Sequence, residues 1–198
     1  MRSRRQESSP SEASQRYGRS VANRWLSPES RQPVLRFLAT FVALLAVFYA
    51  VMSIPWFIDH VFLKNLEFNA MASSWILQRL GVDATCTGLT VMSPRFAMQI
   101  RRGCEAMEPL AVYIAAVLAF PASWRSKAIG IGVGLIALPA LNFLRIVTLY
   151  FAGVHWPSAF ETLHVEVWQT LFVIFGLVLW LGWAWQALDR DEPVQEQR

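Results

Sequence analysis

The chain has 198 residues, 55% hydrophobic and 16% charged, with a formal charge of +4 and a mean hydropathy of +0.34. Its apolar residues lie in continuous runs rather than at core spacing, which excludes an ordinary soluble domain and marks a polytopic membrane protein. The positive charge does not point to nucleic acid, because eight of the arginines precede or open the first apolar run, the placement of a positive-inside signal.

Residues 1–33 are rich in Ser, Gln, Arg and Pro without apolar periodicity, and read as a disordered cytoplasmic tail. Four runs then reach the ~20 residues that cross ~30 Å of hydrocarbon. They are Val34–Trp56, Cys104–Ala122, Ala128–Ala152 and Val165–Leu188, within a membrane-embedded unit of residues 34–188. The first is too far from the N-terminus, and lacks the small-residue cleavage site, to be a secretory signal peptide. Of the 18 Lys and Arg, twelve fall on the side of the N-terminal tail and five in the large segment opposite, with Arg145 set aside as intramembrane. That asymmetry places both termini, including the tail at 189–198, in the cytoplasm.

Between the first two runs lies an outer subdomain, residues 57–103. From Ile58 to Leu80 apolar residues recur at helical spacing among Lys64, Asn65, Glu67, Asn69, Gln78 and Arg79, the pattern of an amphipathic surface helix that Gly81 ends. Val82–Arg102 changes period: Leu89 and Val91 alternate with polar neighbours, as do Phe96, Met98 and Ile100, with Ser93-Pro94 between them. A small β-hairpin is expected there, an extended loop being the plainer alternative. In the third run, Gly130 and Gly134 have the small-xxx-small spacing of close helix packing, and Pro139 follows.

Consecutive crossings alternate in direction, so the start of the second run, the end of the third and the start of the fourth meet at one membrane face. Those places hold Cys104, Arg145 and His164. A charge in a membrane helix costs ~2.5–3.5 kcal/mol at the centre, so Arg145 either snorkels outward or serves a polar cluster. Asn142, one turn earlier, fits the cluster, and Glu108, one turn past Cys104, is its candidate ion-pair partner. Cys104 at a helix N-terminus after Arg101 and Arg102 is expected to have a lowered thiol pKa. Cys86 lies on the same outer side, so a Cys86–Cys104 disulfide is an alternative. Three His without i, i+4 spacing do not make a metal site, and no phosphate loop is present.

Arg102-Gly-Cys104, then Asn142-Phe-Leu-Arg145, then His164 at the next span resembles the exosortase/archaeosortase family. With Val117-Leu-Ala-Phe-Pro-Ala122 and the short length, the chain looks most like exosortase H. The resemblance covers roughly residues 95–170. It implies a membrane cysteine protease or transpeptidase acting on exported proteins that end in a motif, a transmembrane helix and a basic tail. It implies Cys104 as nucleophile, Arg145 as essential arginine and His164 as third member. Where the family cysteine is commonly followed by a small polar residue and Gly, this chain has Glu105 and Ala106.

The expectation is an all-α polytopic membrane protein with about four transmembrane helices, an outer amphipathic helix and a small β-hairpin. Its catalytic residues would be Cys104, Arg145 and His164, supported by Asn142 and Glu108, facing the periplasm from a bacterial inner membrane and needing no cofactor. Its partners would be the lipid bilayer and exported proteins, and no nucleic acid. Competing readings are a thiol-redox membrane protein using Cys86 and Cys104, weakened by the lack of a CxxC pair, and a non-catalytic scaffold, which leaves a membrane arginine unexplained.

Overall fold

A computed structural model of the protein describes residues 28–191, so most of the two proposed tails lies outside the described residues. Helix α1, Pro28–Met52, starts ahead of the expected Val34. Its apolar side chains Val34, Leu35, Leu38, Val42 and Val47 stay exposed, as lipid-facing residues do, while Met52 enters the core and Phe48 packs against it.

Helix α2 spans residues 55–79 and begins with Pro55 in the first turn, where its missing N–H costs nothing. A π turn, Ile58–Phe62, leads into the regular stretch Leu63–Arg79. Its buried face is Leu66, Asn69, Ala70, Ser73 and Leu77, spaced three and four apart, while Phe68, Met71 and Trp75 are exposed. The helix stops as expected at Gly81, whose φ of +83° lets Gly81 donate to Gln78 and Val82 to Leu77. This pair of bonds is a Schellman closure, which L-residues other than glycine resist.

The hairpin is present and gains a third strand. β1 Thr85–Thr87, β2 Thr90–Met92 and β3 Ala97–Gln99 form an antiparallel sheet in sequence order. Val91 pairs with both Cys86 and Met98. Ser93 closes the β2–β3 turn, its N–H donating to Phe96 O and its Oγ accepting from Phe96 N. The alternation expected of this stretch buries Val91 and Ile100 and packs the sheet on α2. β1 is Thr-Cys-Thr, which carries no alternation of large apolar and polar residues to mark it as a strand.

Helix α3 is Met107–Ala119, 13 residues rather than the expected Cys104–Ala122, hence ~20 Å long. Phe120 is extended because Pro121 follows it, and the helix cannot continue. Helix α4, Trp124–His155, starts at Ser123, whose hydroxyl accepts from Ser126 N. Helix α5, residues 157–191, follows directly after Trp156 and contains a second π turn, Leu163–Val167. Three helices are long and apolar enough to cross a membrane, Gln32–Met52, Trp124–His155 and Pro157–Arg190, with α3 as a shorter apolar helix. The protein is an all-α, multi-pass membrane protein with a small antiparallel sheet.

Helix α3 occupies the centre, touching α1, α4 and α5. Gly130 and Gly134 let rings fill the gaps: Trp183 lies against Gly130 and Tyr113 against Gly134. Trp183 Nε1 donates to Ser126 O at 2.8 Å and Tyr113 Oη to Gly130 O at 3.1 Å, so both rings bury without leaving a donor unmatched. A Cβ on Gly130 would come within 2.5 Å of Trp183 Nε1, whereas one on Gly132 meets nothing within 4 Å. Gly130→Ala should therefore lose about 1–3 kcal/mol by overpacking. Gly132→Ala should be neutral or gain up to about 1 kcal/mol from helix propensity. Thermal unfolding in detergent checks the pair, and equal midpoints would contradict this packing.

Candidate active site

The two core clusters meet at the segment between β3 and α3. Cys104 packs into the cluster under the sheet with Phe62, Ile146 and Tyr150, and Ala106 into the cluster with Tyr113, Leu149 and Trp168. To turn between them the backbone takes left-handed conformations at Gly103, φ +92°, and Ala106, φ +58°. The second falls where the resemblance led one to expect glycine. An L-residue there is strained by about 1–2 kcal/mol.

Cys104 Sγ lies 3.3 Å from His164 Nε2. His164 sits in the π turn of α5, not at the start of a helix, and its ring stacks on Phe160 with centroids 5.9 Å apart and planes 28° apart. Arg145 reaches the same place from α4. Its Nη1 donates to Gly103 O at 2.8 Å and its Nη2 to His164 O at 3.3 Å. The guanidinium carbon is 5.6 Å from the Phe172 ring centroid. Helix α4 runs on to His155, so Arg145 lies about ten residues, roughly 15 Å, from its end, deeper than the sequence suggested.

Asn142, fully buried, donates from Nδ2 to Cys104 O at 2.7 Å and to Asn69 Oδ1 at 3.0 Å. It therefore ties the cysteine's own carbonyl to α2. Asn69 was not singled out from sequence. The available signal was the run Asn65, Asn69 and Ser73, four apart on the face that turns inward.

Three expectations are corrected. Arg145 does not pair with Glu108; among the described residues its guanidinium bonds two backbone carbonyls and lies over the Phe172 ring. The two fixed carbonyl dipoles take the place of the carboxylate. Cys104 is not at a helix N-terminus, because α3 begins only at Met107. Its thiol pKa is raised, not lowered: burial dominates, Glu105 adds to it, and Arg145 and a backbone hydrogen bond at Arg101 pull the other way. Finally, Cys86 and Cys104 are both free thiols, so the disulfide alternative is not realised.

A cavity of about 500 Å³ adjoins the cluster, bordered by Gly103, Glu105, Glu108 and Arg145 at one end and by apolar side chains of α1, α3 and α5. Glu105 is 5% exposed, and burial raises its carboxyl pKa.

A membrane protein of this architecture, with a free thiol, an imidazole and a guanidinium converging, matches the model of one family. The transmembrane exosortase family (Exosortase_EpsH) matches over residues 32–184, and the chain belongs to it. It is a membrane exosortase-type sorting protein. No curated protein and no solved structure shows significant similarity.

Because burial raises the Cys104 pKa, the protonated form persists to higher pH than in a free cysteine. In a Cys86→Ser background, alkylation by iodoacetamide should accelerate with a midpoint above the ordinary ~8.5. A midpoint at or below that value would mean the thiol is not held as described. Ala106→Gly should be tolerated within about 1 kcal/mol, since relief of strain offsets the added chain entropy. Ala106→Val should be clearly destabilising, and thermal unfolding of the two variants compares them.

Proposed function

We propose that the protein is a cysteine protease or transpeptidase that cleaves C-terminal sorting signals of exported proteins at the outer face of a bacterial inner membrane. The observation that carries this reading is the 3.3 Å contact of Cys104 Sγ with His164 Nε2, in a chain of the exosortase family. With the thiol pKa raised by burial, Cys104 needs a base, and His164 is the group in reach.

In the proposed reaction His164 takes the thiol proton as Sγ attacks the scissile carbonyl. The tetrahedral intermediate collapses, the C–N bond breaks, and the leaving amine takes the proton back from His164. The resulting thioester passes its acyl group to water or to an acceptor nucleophile. Arg145 holds the Gly103 and His164 carbonyls, and so the two arms of the site, in register; its charge also favours thiolate and oxyanion over their neutral forms. Asn142 is a positioning residue acting through the Cys104 carbonyl. Glu108 has no part in this scheme as a partner of Arg145. The substrate would present a motif, an apolar membrane helix and a basic tail.

The redox alternative loses support, because Cys86 and Cys104 are both free thiols and the Cys86 thiol, in β1, donates to Gly88 O. The test is processing of a co-expressed exported protein with such a C-terminal signal. Cys104→Ala should abolish it and Cys86→Ala should leave it intact; equal loss in both would sink the protease reading. A lysine cannot bond two carbonyls with planar geometry, so Arg145→Lys should lose about 10²–10³-fold at equal protein level. Near-normal processing by that variant would reduce Arg145 to a positive charge.

A further inference from the structure

The cavity beside Cys104 is elongated. Along α1 it runs from Tyr49 to Phe41, along α3 from Glu108 to Ala116, and along α5 from Gln169 to Leu177. These stretches are each about two turns, or roughly 12 Å. Its outer end is polar, with Glu105, Glu108 and Arg145, and its inner end is apolar, with Phe41, Ala116 and Leu177.

Two buried atoms at the polar end have no hydrogen-bond partner among the described residues: Glu105 Oε2, an acceptor, and Arg145 Nε, a donor. Both residues are 5% exposed and both border the cavity. Neither Glu105 nor Glu108 makes an ion pair among the described residues. Unmatched buried polar groups are costly, and a small shift of either side chain toward an incoming group would relieve that cost.

We infer that this cavity receives an unwound, extended stretch of the substrate's membrane segment, whose freed backbone groups bond to Glu105 and Arg145. The inference rests on the proposed cleavage and names the form in which that substrate is bound. A peptide group supplies one N–H and one C=O, the complement of the unmatched pair. A helix has neither to offer in its middle, because its backbone is bonded internally. Within the bilayer an extended strand's backbone groups must find partners in protein, and the unmatched pair supplies one acceptor and one donor. A lipid acyl chain would fill the apolar end but leave both polar atoms unmatched.

The test uses purified full-length Cys86→Ser protein in detergent, with the rate of Cys104 alkylation by iodoacetamide as readout. The probes are acetyl-trileucine amide, its analogue with N-methylated leucines, and methyl myristate. Trileucine should protect Cys104, and the analogue, equally apolar but without its N–H donors, should need about tenfold more for half-protection, the scale of one charge-assisted hydrogen bond. Glu105→Ala should erase most of that difference, and Glu105→Gln, which keeps the volume and a neutral acceptor, should reduce it. Equal protection by the two peptides, no protection by either, or discrimination that survives both Glu105 variants would overturn the inference. Protection by methyl myristate as strong as by trileucine would overturn it in favour of an acyl chain. Peptide protection requires no cleavage, so it fails or succeeds independently of the Cys104→Ala processing assay.

Discussion

A buried guanidinium bonded to two backbone carbonyls is the constraint on which the rest of the site depends. Arg145 joins Gly103, just before Cys104, to His164, so one side chain sets the distance between the thiol and the imidazole. A membrane arginine is expensive to insert, at ~2.5–3.5 kcal/mol mid-helix. Part of that cost is offset by two hydrogen bonds to fixed carbonyls and by the face of Phe172. The arrangement also has the converse dependence. Without Arg145, two carbonyls inside a water-poor protein would lose their side-chain donor, and the arms would have no reason to stay together.

The backbone around this arginine departs from regular geometry at three points. Gly103 and Ala106 are left-handed, and His164 lies in a π turn. Each departure serves an orientation that a regular helix would not give. The two left-handed residues swing Cys104 out of line with α3, and the wider turn brings the His164 ring and its carbonyl to bear on different partners. Asn142 secures the first departure through the Cys104 carbonyl, and Phe160 supports the second by stacking on His164. The thiol held in this way is buried and lies against the His164 imidazole, not at helix-end amides.

The sheet and α2 supply one wall of the same structure. Phe96, at the β2–β3 turn, lies against Gly153 and packs on both Tyr150 and Phe160. Ser93, in the same turn, hydrogen-bonds the Tyr150 hydroxyl. The sheet is thus joined to the end of α4 and the start of α5, on either side of Trp156. On its other edge, α2 presents Asn69 to Asn142.

Long apolar runs, charge asymmetry and period changes are local properties, and from them the sequence by itself determined a multi-pass helical protein, the amphipathic helix ending at Gly81, the β2–β3 hairpin and the family. The alternating direction of consecutive apolar runs was enough to expect Cys104, Arg145 and His164 close together, and they do converge. What the sequence could not determine was which atoms meet there. Glu108 had the right spacing from Cys104 and the right charge for Arg145, yet backbone carbonyls took that place, since every residue carries one and none leaves a trace in residue type. Asn69 is some 70 residues from Asn142, and only packing brings them within 3.0 Å. The start of α3 and the direction of the Cys104 pKa shift were likewise decided by tertiary structure. Both follow from how deeply the Gly103–Ala106 turn is wedged between two cores, and burial of that kind is a sum over elements distant in the chain.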